Sequence, residues 1–186
     1  MKTLQKITKF PVIVFLSVVY LIFVLYLFPH FDIKTASAGL ESLDIRWSYT
    51  LNDVTQLFNV LGSDGIKLYK EILIIDSIYA LIYGSLLILS LRYLQENMGR
   101  LGKLTAWMCW LPIGVVLLDY TENINIWLML SSFPTLSETI VKFGSTITML
   151  KWYGASVCAG LIICALLAVI LRNTLWKWRN KMIIHH

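Results

Sequence analysis

The chain has 186 residues, 58% of them hydrophobic and only 15% charged, and its sixteen Lys and Arg against eleven Asp and Glu leave a net charge of +5. Soluble domains run at roughly 45–50% apolar and about 25% charged residues; here the apolar excess is gathered into four blocks, which excludes an ordinary soluble fold. The basic residues flank those blocks, and no basic patch with interleaved aromatics stands apart from them, so the charge speaks for topology and lipid headgroups and against a nucleic-acid partner.

The first block, Phe10–Pro29, is uncharged and long enough to cross a bilayer, which takes about 20 residues. Lys2, Lys6 and Lys9 precede it, and Ala36-Ser37-Ala38 resembles a signal-peptide cleavage box. The apolar run exceeds the usual signal core and the box lies far beyond its end, so the block is read as an uncleaved anchor. A loop over residues 30–70 follows, too long for a simple turn. In it Thr50-Leu51-Asn52-Asp53 has the pattern of a capping box, and Leu51, Val54, Leu57, Phe58 and Leu61 form an apolar stripe ended by Gly62. This predicts a short amphipathic helix in the first outer loop, which covers hydrophobic surface or serves as a lid over a pocket.

The second block, Ile72–Leu91, is interrupted only by Asp76. The third, over residues 105–129, carries Asp119 and Glu122, and Pro112 is expected to kink it. The fourth, Trp152–Leu171, is uncharged, and Gly154, Ala155, Ser156, Ala159 and Gly160 offer a small-residue face for close helix approach. The expected fold is therefore all-α: a single-domain integral membrane four-helix bundle over residues 1–186, with spans at about 10–29, 72–91, 105–129 and 152–171.

Ten of the sixteen basic residues fall before the first span, between the second and third, and after the fourth, with Glu96 as the only acid there. The positive-inside rule then places both termini in the cytoplasm. Trp107, Trp110, Trp176 and Trp178 would mark the inner interface, and Trp47, Trp127 and Trp152 the outer one.

Asp119, Glu122 and Asn123 fall at i, i+3 and i+4, on one helical face, and ionisable groups within a span are expensive enough to mark a site or a buried network. Asp76 stands 16 residues before Arg92, and Asp119 stands 16 residues after Lys103. At 1.5 Å per residue both lie about 24 Å from the inner edge of the bilayer, at one level. Asp76, Tyr79, Ala80, Tyr83 and Gly84 share one face of the second span. The candidate ligand-binding residues are thus Asp76, Tyr79, Tyr83, Asp119, Glu122 and Asn123, with Asp76, Asp119 and Glu122 as candidate acids or bases. Glu122 and Asn123 are expected nearest the headgroups. Lys151, Lys70, Lys67 and Arg46 are the candidate counter-ions.

Oxygen-only donors would suit Ca²⁺, Mg²⁺ or Mn²⁺, but no di-iron ExxH pattern occurs and no metal site is assigned. His30, His185 and His186 lie outside the depth of the spans, and Cys109, Cys158 and Cys164 have no CxxC neighbour, so they read as free thiols. There is no GxSxG, Walker motif or GxGxxG, hence no support for nucleophilic or nucleotide chemistry. No cofactor is expected.

The segment Tyr69-Lys70-Glu71-Ile72-Leu73-Ile74-Ile75-Asp76-Ser77-Ile78-Tyr79-Ala80-Leu81-Ile82-Tyr83, together with four spans and a long first loop, resembles the acidic second span of EXPERA-type proteins. That family includes sterol isomerases and sterol-binding proteins of the sigma-2 receptor type. The resemblance covers about 15 residues, implies a four-span architecture around a lipid-like ligand, and does not extend to Asp119-Tyr120-Thr121-Glu122-Asn123. That DxxEN element is similar to one in small four-span bacterial membrane proteins of no assigned function. The expected function is binding of a lipid-like or cationic amphipathic small molecule in an outward-facing acidic and tyrosine-lined pocket. Two alternatives stand beside it: a lipid-modifying enzyme using a carboxylate pair, and an accessory subunit of a membrane complex. The partners expected are membrane lipids, the ligand, and a second copy or another membrane protein. The location expected is a bacterial plasma membrane.

Overall fold

The computed structural model describes residues 2–31 and 38–184, with side chains described from Phe10 to Thr174 within those ranges. Lys34, Ala36, Ser37, His185 and His186 lie outside the described residues, as do the side chains of Lys2, Lys6, Lys9, Trp176 and Trp178. The described chain is all-helical, without a strand. Four helical stretches are long and apolar enough to span a membrane: Phe10–His30, Leu51–Asn97, Ala106–Ser132 and Glu138–Thr174.

Helix α1 (Lys2–Ile22) runs into a π-helical turn, Phe23–Leu27, and a last helical turn, Phe28–His30. Pro29 has no N–H to return to residue 25 and its ring crowds that carbonyl, so the ladder loosens just before it. Helix α2 (Leu51–Asn97) starts at a complete capping box. The Thr50 hydroxyl accepts from the Asp53 N–H at 3.3 Å, and the Thr50 N–H donates to the Asp53 carboxylate at 2.7 Å. Gly62, at φ 61° and ψ −167°, breaks α2 into two helical segments; this left-handed backbone favours glycine.

The segment before Gly62 buries Val54, Leu57, Phe58 and Leu61, while Leu51 is half-buried. They meet Leu43, Tyr49, Tyr69, Ile126, Met129 and Val141 in a core at one end of the bundle. Elsewhere the helices expose large apolar side chains such as Leu25 (70%) and Leu104 (72%), as a lipid-facing surface would.

A short helix (Arg100–Leu104) and a 3₁₀ segment (Ala106–Trp110) connect α2 to helix α3 (Leu111–Ser132). Gln95 pins this connection. Its amide donates to the Thr105 carbonyl at 2.7 Å and its side-chain oxygen accepts from Cys109 Sγ at 3.2 Å. Pro112 falls in the first turn of α3, where its missing N–H removes no helical bond. The kink expected there is not formed; the departure from α geometry lies in the 3₁₀ segment before the proline.

Helix α4 (Glu138–Ile184) packs on α3 and α2, and α1 packs chiefly on α2. The small-residue face of α4 is used unevenly. A side chain at Gly154 would meet Val115 at 2.8 Å, whereas one at Gly160 would meet nothing within 4 Å. Close approach is therefore confined to the Gly154 end of the stripe.

Candidate functional site: a buried lysine beside an acidic cavity

Helices α2 and α3 run antiparallel and are tied by three polar rungs. Tyr83 donates to Asp119 Oδ2 at 2.7 Å, Asn123 Nδ2 donates to Asp76 Oδ2 at 2.8 Å, and Tyr120 donates to the Ser77 carbonyl at 2.8 Å. Rising numbers on one helix meet falling numbers on the other, which fixes their register. Each rung pairs a group that would otherwise be unsatisfied at membrane depth.

Helix α4 contributes Lys151. Its ammonium pairs with Asp119 Oδ1 at 3.2 Å, with Glu122 Oε2, and with the Asp44 carbonyl at 3.3 Å. An ammonium has three hydrogens, and each here has an oxygen acceptor. Thr148, one turn before Lys151 and fully buried, donates to the other Glu122 oxygen. Asp119 is 3% exposed and Glu122 0%, so both charges depend on this pairing. Of the four candidate counter-ions, only Lys151 reaches the acids. Lys67 pairs with Asp64, Lys70 stacks over Trp127, and Arg46 donates to the Glu41 carbonyl.

The segment that supplies the Asp44 carbonyl is itself fixed. The Tyr69 hydroxyl donates to Asp44 Oδ1 at 2.9 Å and accepts from the Leu43 N–H at 2.7 Å. Tyr49, from the loop before α2, is buried nearby, and burial holds its phenol above its ordinary pKa.

Beside this network lies a cavity of about 640 Å³, lined by α1, residues 42–45, α2, α3 and α4. Asp76, Tyr79, Tyr83 and Asp119 all line it. Glu122 and Asn123 do not; they sit behind the wall, holding Lys151 and Asp76 respectively. Nor is Glu122 at a solvated edge, since Lys151 and Thr148 enclose it. From the loop before α2 the lining takes Ser42, Asp44 and Ile45, and it takes no residue of the segment Leu51–Leu61.

These four candidates in the cavity lining have different partners. Asp119 is bound by Lys151 and Tyr83. Asp76 receives only the Asn123 amide, and among the described residues it forms no ion pair. Around it, the Tyr79 ring stacks on Tyr20 at 5.5 Å, lies edge-on to Phe28 at 5.0 Å and approaches Tyr83 at 5.3 Å. A carboxylate without an ion pair among the described residues thus faces an aromatic-walled space.

Several participants carried no sequence signal. Tyr20 lies in an uncharged span, and Asp44 in the long loop before α2. Thr148 is found by helical spacing from Lys151 once α4 is extended back to Glu138. The described residues hold no cluster of three or more His, Cys, Asp or Glu placed for a metal ion. No family model matches the chain, and neither does any curated protein or solved structure.

Proposed function

We propose that the chain is a multi-pass protein of a bacterial plasma membrane that binds a lipid-like or cationic amphipathic small molecule in the cavity beside Asp76. The observation that carries this reading is the Asp76 carboxylate, which lines a cavity of about 640 Å³ and has no cationic partner among the described residues. A carboxylate in low dielectric is strongly stabilised by an opposite charge, and aromatic faces attract cations within about 6 Å of the ring. Tyr20, Tyr79 and Tyr83 supply such faces, and the Val24 and Phe28 wall suits an apolar tail. The EXPERA-type resemblance of the second span supports a ligand of lipid character. With both termini cytoplasmic, the cavity opens toward the outer side and the Leu51–Leu61 segment covers that end of the bundle.

The test is thermal unfolding of the purified chain with a long-chain amine and with the matching neutral alcohol. The amine raises Tm, the alcohol does so less, and Asp76→Asn removes the difference. An unchanged amine response in Asp76→Asn would sink the reading.

A second reading, acid–base chemistry on a lipid, draws on Asp76 and Asp119 lining the same cavity. General acid–base catalysis needs groups within hydrogen-bond reach of the substrate. An Asp119→Asn variant that retains its full rate of lipid conversion excludes that residue as the base.

A further inference from the structure

The seam between α2 and α3 holds a second, smaller cavity of about 220 Å³. The Asp76–Asn123 bond links the two, since Asp76 lines the first and Asn123 the second. Their linings differ in character. The second is walled by Ile74, Ile124, Trp127 and Leu128, and its hydroxyl groups are already engaged. Ser77 donates to the Leu73 carbonyl at 2.8 Å, and Tyr120 to the Ser77 carbonyl at 2.8 Å. The groove therefore presents mainly carbon.

Its direction follows from helical spacing. Lys70, Ile74 and Ser77 lie at i, i+4 and i+7 on α2, and Trp127, Ile124 and Tyr120 lie at i, i−3 and i−7 on antiparallel α3. The groove thus runs from the Lys70–Trp127 level to the Ser77–Tyr120 level, about 10 Å along the helices. Ile74, Ile124 and Leu128 are each more than half exposed, so the groove opens onto the surface that faces lipid. At its Trp127 end the Lys70 ammonium lies 5.2 Å from the Trp127 ring centroid. Lys70 forms no ion pair among the described residues.

We propose that this groove is a binding site for an anionic phospholipid, its acyl chain along Ile74 and Ile124 and its phosphate on Lys70. Charge complementarity selects the occupant. An apolar groove open to the bilayer takes an acyl chain, a tryptophan at its end marks the headgroup level, and an unpaired ammonium there calls for an anion. The site is distinct from the Asp76 cavity, which offers a carboxylate rather than an ammonium, and adjoins it through the Asp76–Asn123 bond.

Native mass spectrometry of the full chain, titrated with phosphatidylglycerol or phosphatidylcholine of the same chains, tests this. One phosphatidylglycerol is retained in preference to phosphatidylcholine. Lys70→Gln lowers its retention about five-fold, the effect of one lysine at an anionic surface. Lys70→Arg preserves it, Trp127→Ala lowers it, and Lys67→Gln, whose partner is Asp64, leaves it unchanged. Equal retention of the two lipids by the natural chain overturns the proposal. So does an equal loss in Lys67→Gln, which would mean general surface charge, or full retention in Lys70→Gln.

Discussion

Lys151 and Asp76 sit in one neighbourhood and have opposite situations. Lys151 is saturated by Asp119, Glu122 and the Asp44 carbonyl. Lys151→Met leaves two buried carboxylates without a cation and is expected to destabilise the protein by about 3–5 kcal/mol, measured by unfolding in detergent. Adding Glu122→Leu to that variant restores part of the loss, because one of the two stranded charges goes with it while Asp119 keeps only the Tyr83 hydroxyl. Asp76 has one amide partner, so Asp76→Asn costs about 1 kcal/mol of stability while removing the response to amines. Acids interrupting apolar runs made Asp76, Asp119 and Glu122 legible in the sequence. Which of them takes the lysine was not, because that depends on the rotation of α4 about its axis, and the small-residue face of its uncharged span points to close packing without naming a carboxylate partner.

At the scale of elements, legibility follows chemistry that is local in the chain. Thr50 and Asp53 write the start of α2 in four residues, and Thr50→Ala is expected to cost about 0.5–2 kcal/mol through loss of the cap. Gly62 writes the break: Gly62→Ala, in a left-handed conformation, costs about 1–2 kcal/mol, read as a lower unfolding midpoint. Pro112 shows the limit. A proline within an apolar run reads as a kink, yet the same residue opens a helix when the preceding residues turn as 3₁₀. What decides between them is the anchoring of the connection by Gln95 to Thr105 and Cys109, contacts that join residues ten and fourteen apart. Gly102 is part of that anchor, since a methyl there would collide with the Gln95 carbonyl, and Gly102→Ala is expected to destabilise by about 1–3 kcal/mol.

At the scale of the whole molecule, two environments meet. One end carries a core built from Leu43, Phe58, Tyr69, Ile126 and Val141, where burial from water stabilises at roughly 25 cal/mol per Å² of apolar surface. The rest of the bundle exposes its apolar residues and has no such drive between helices, so close packing and the α2–α3 rungs hold it. Four spans were legible because length and hydropathy alone announce them; their mutual arrangement was not. The orientation argued from basic residues has its own test. In a chain whose three cysteines are replaced by serine, a cysteine at Asp64 is labelled by an impermeant maleimide on intact cells, and one at Arg100 only after permeabilisation. The reverse pattern would overturn it.

The packing of α1 bears on how the polar features are divided along the chain. None of the residues in its apolar window is buried, and its chief neighbour is α2. The lysine network draws on Asp44, Asp119, Glu122 and Lys151, none of them in α1. What α1 and the two turns after it add is the Tyr20, Val24 and Phe28 wall of the cavity. Network and cavity wall thus belong to different parts of the chain, so substitutions in α1 are expected to alter the cavity and leave the ion pairs in place.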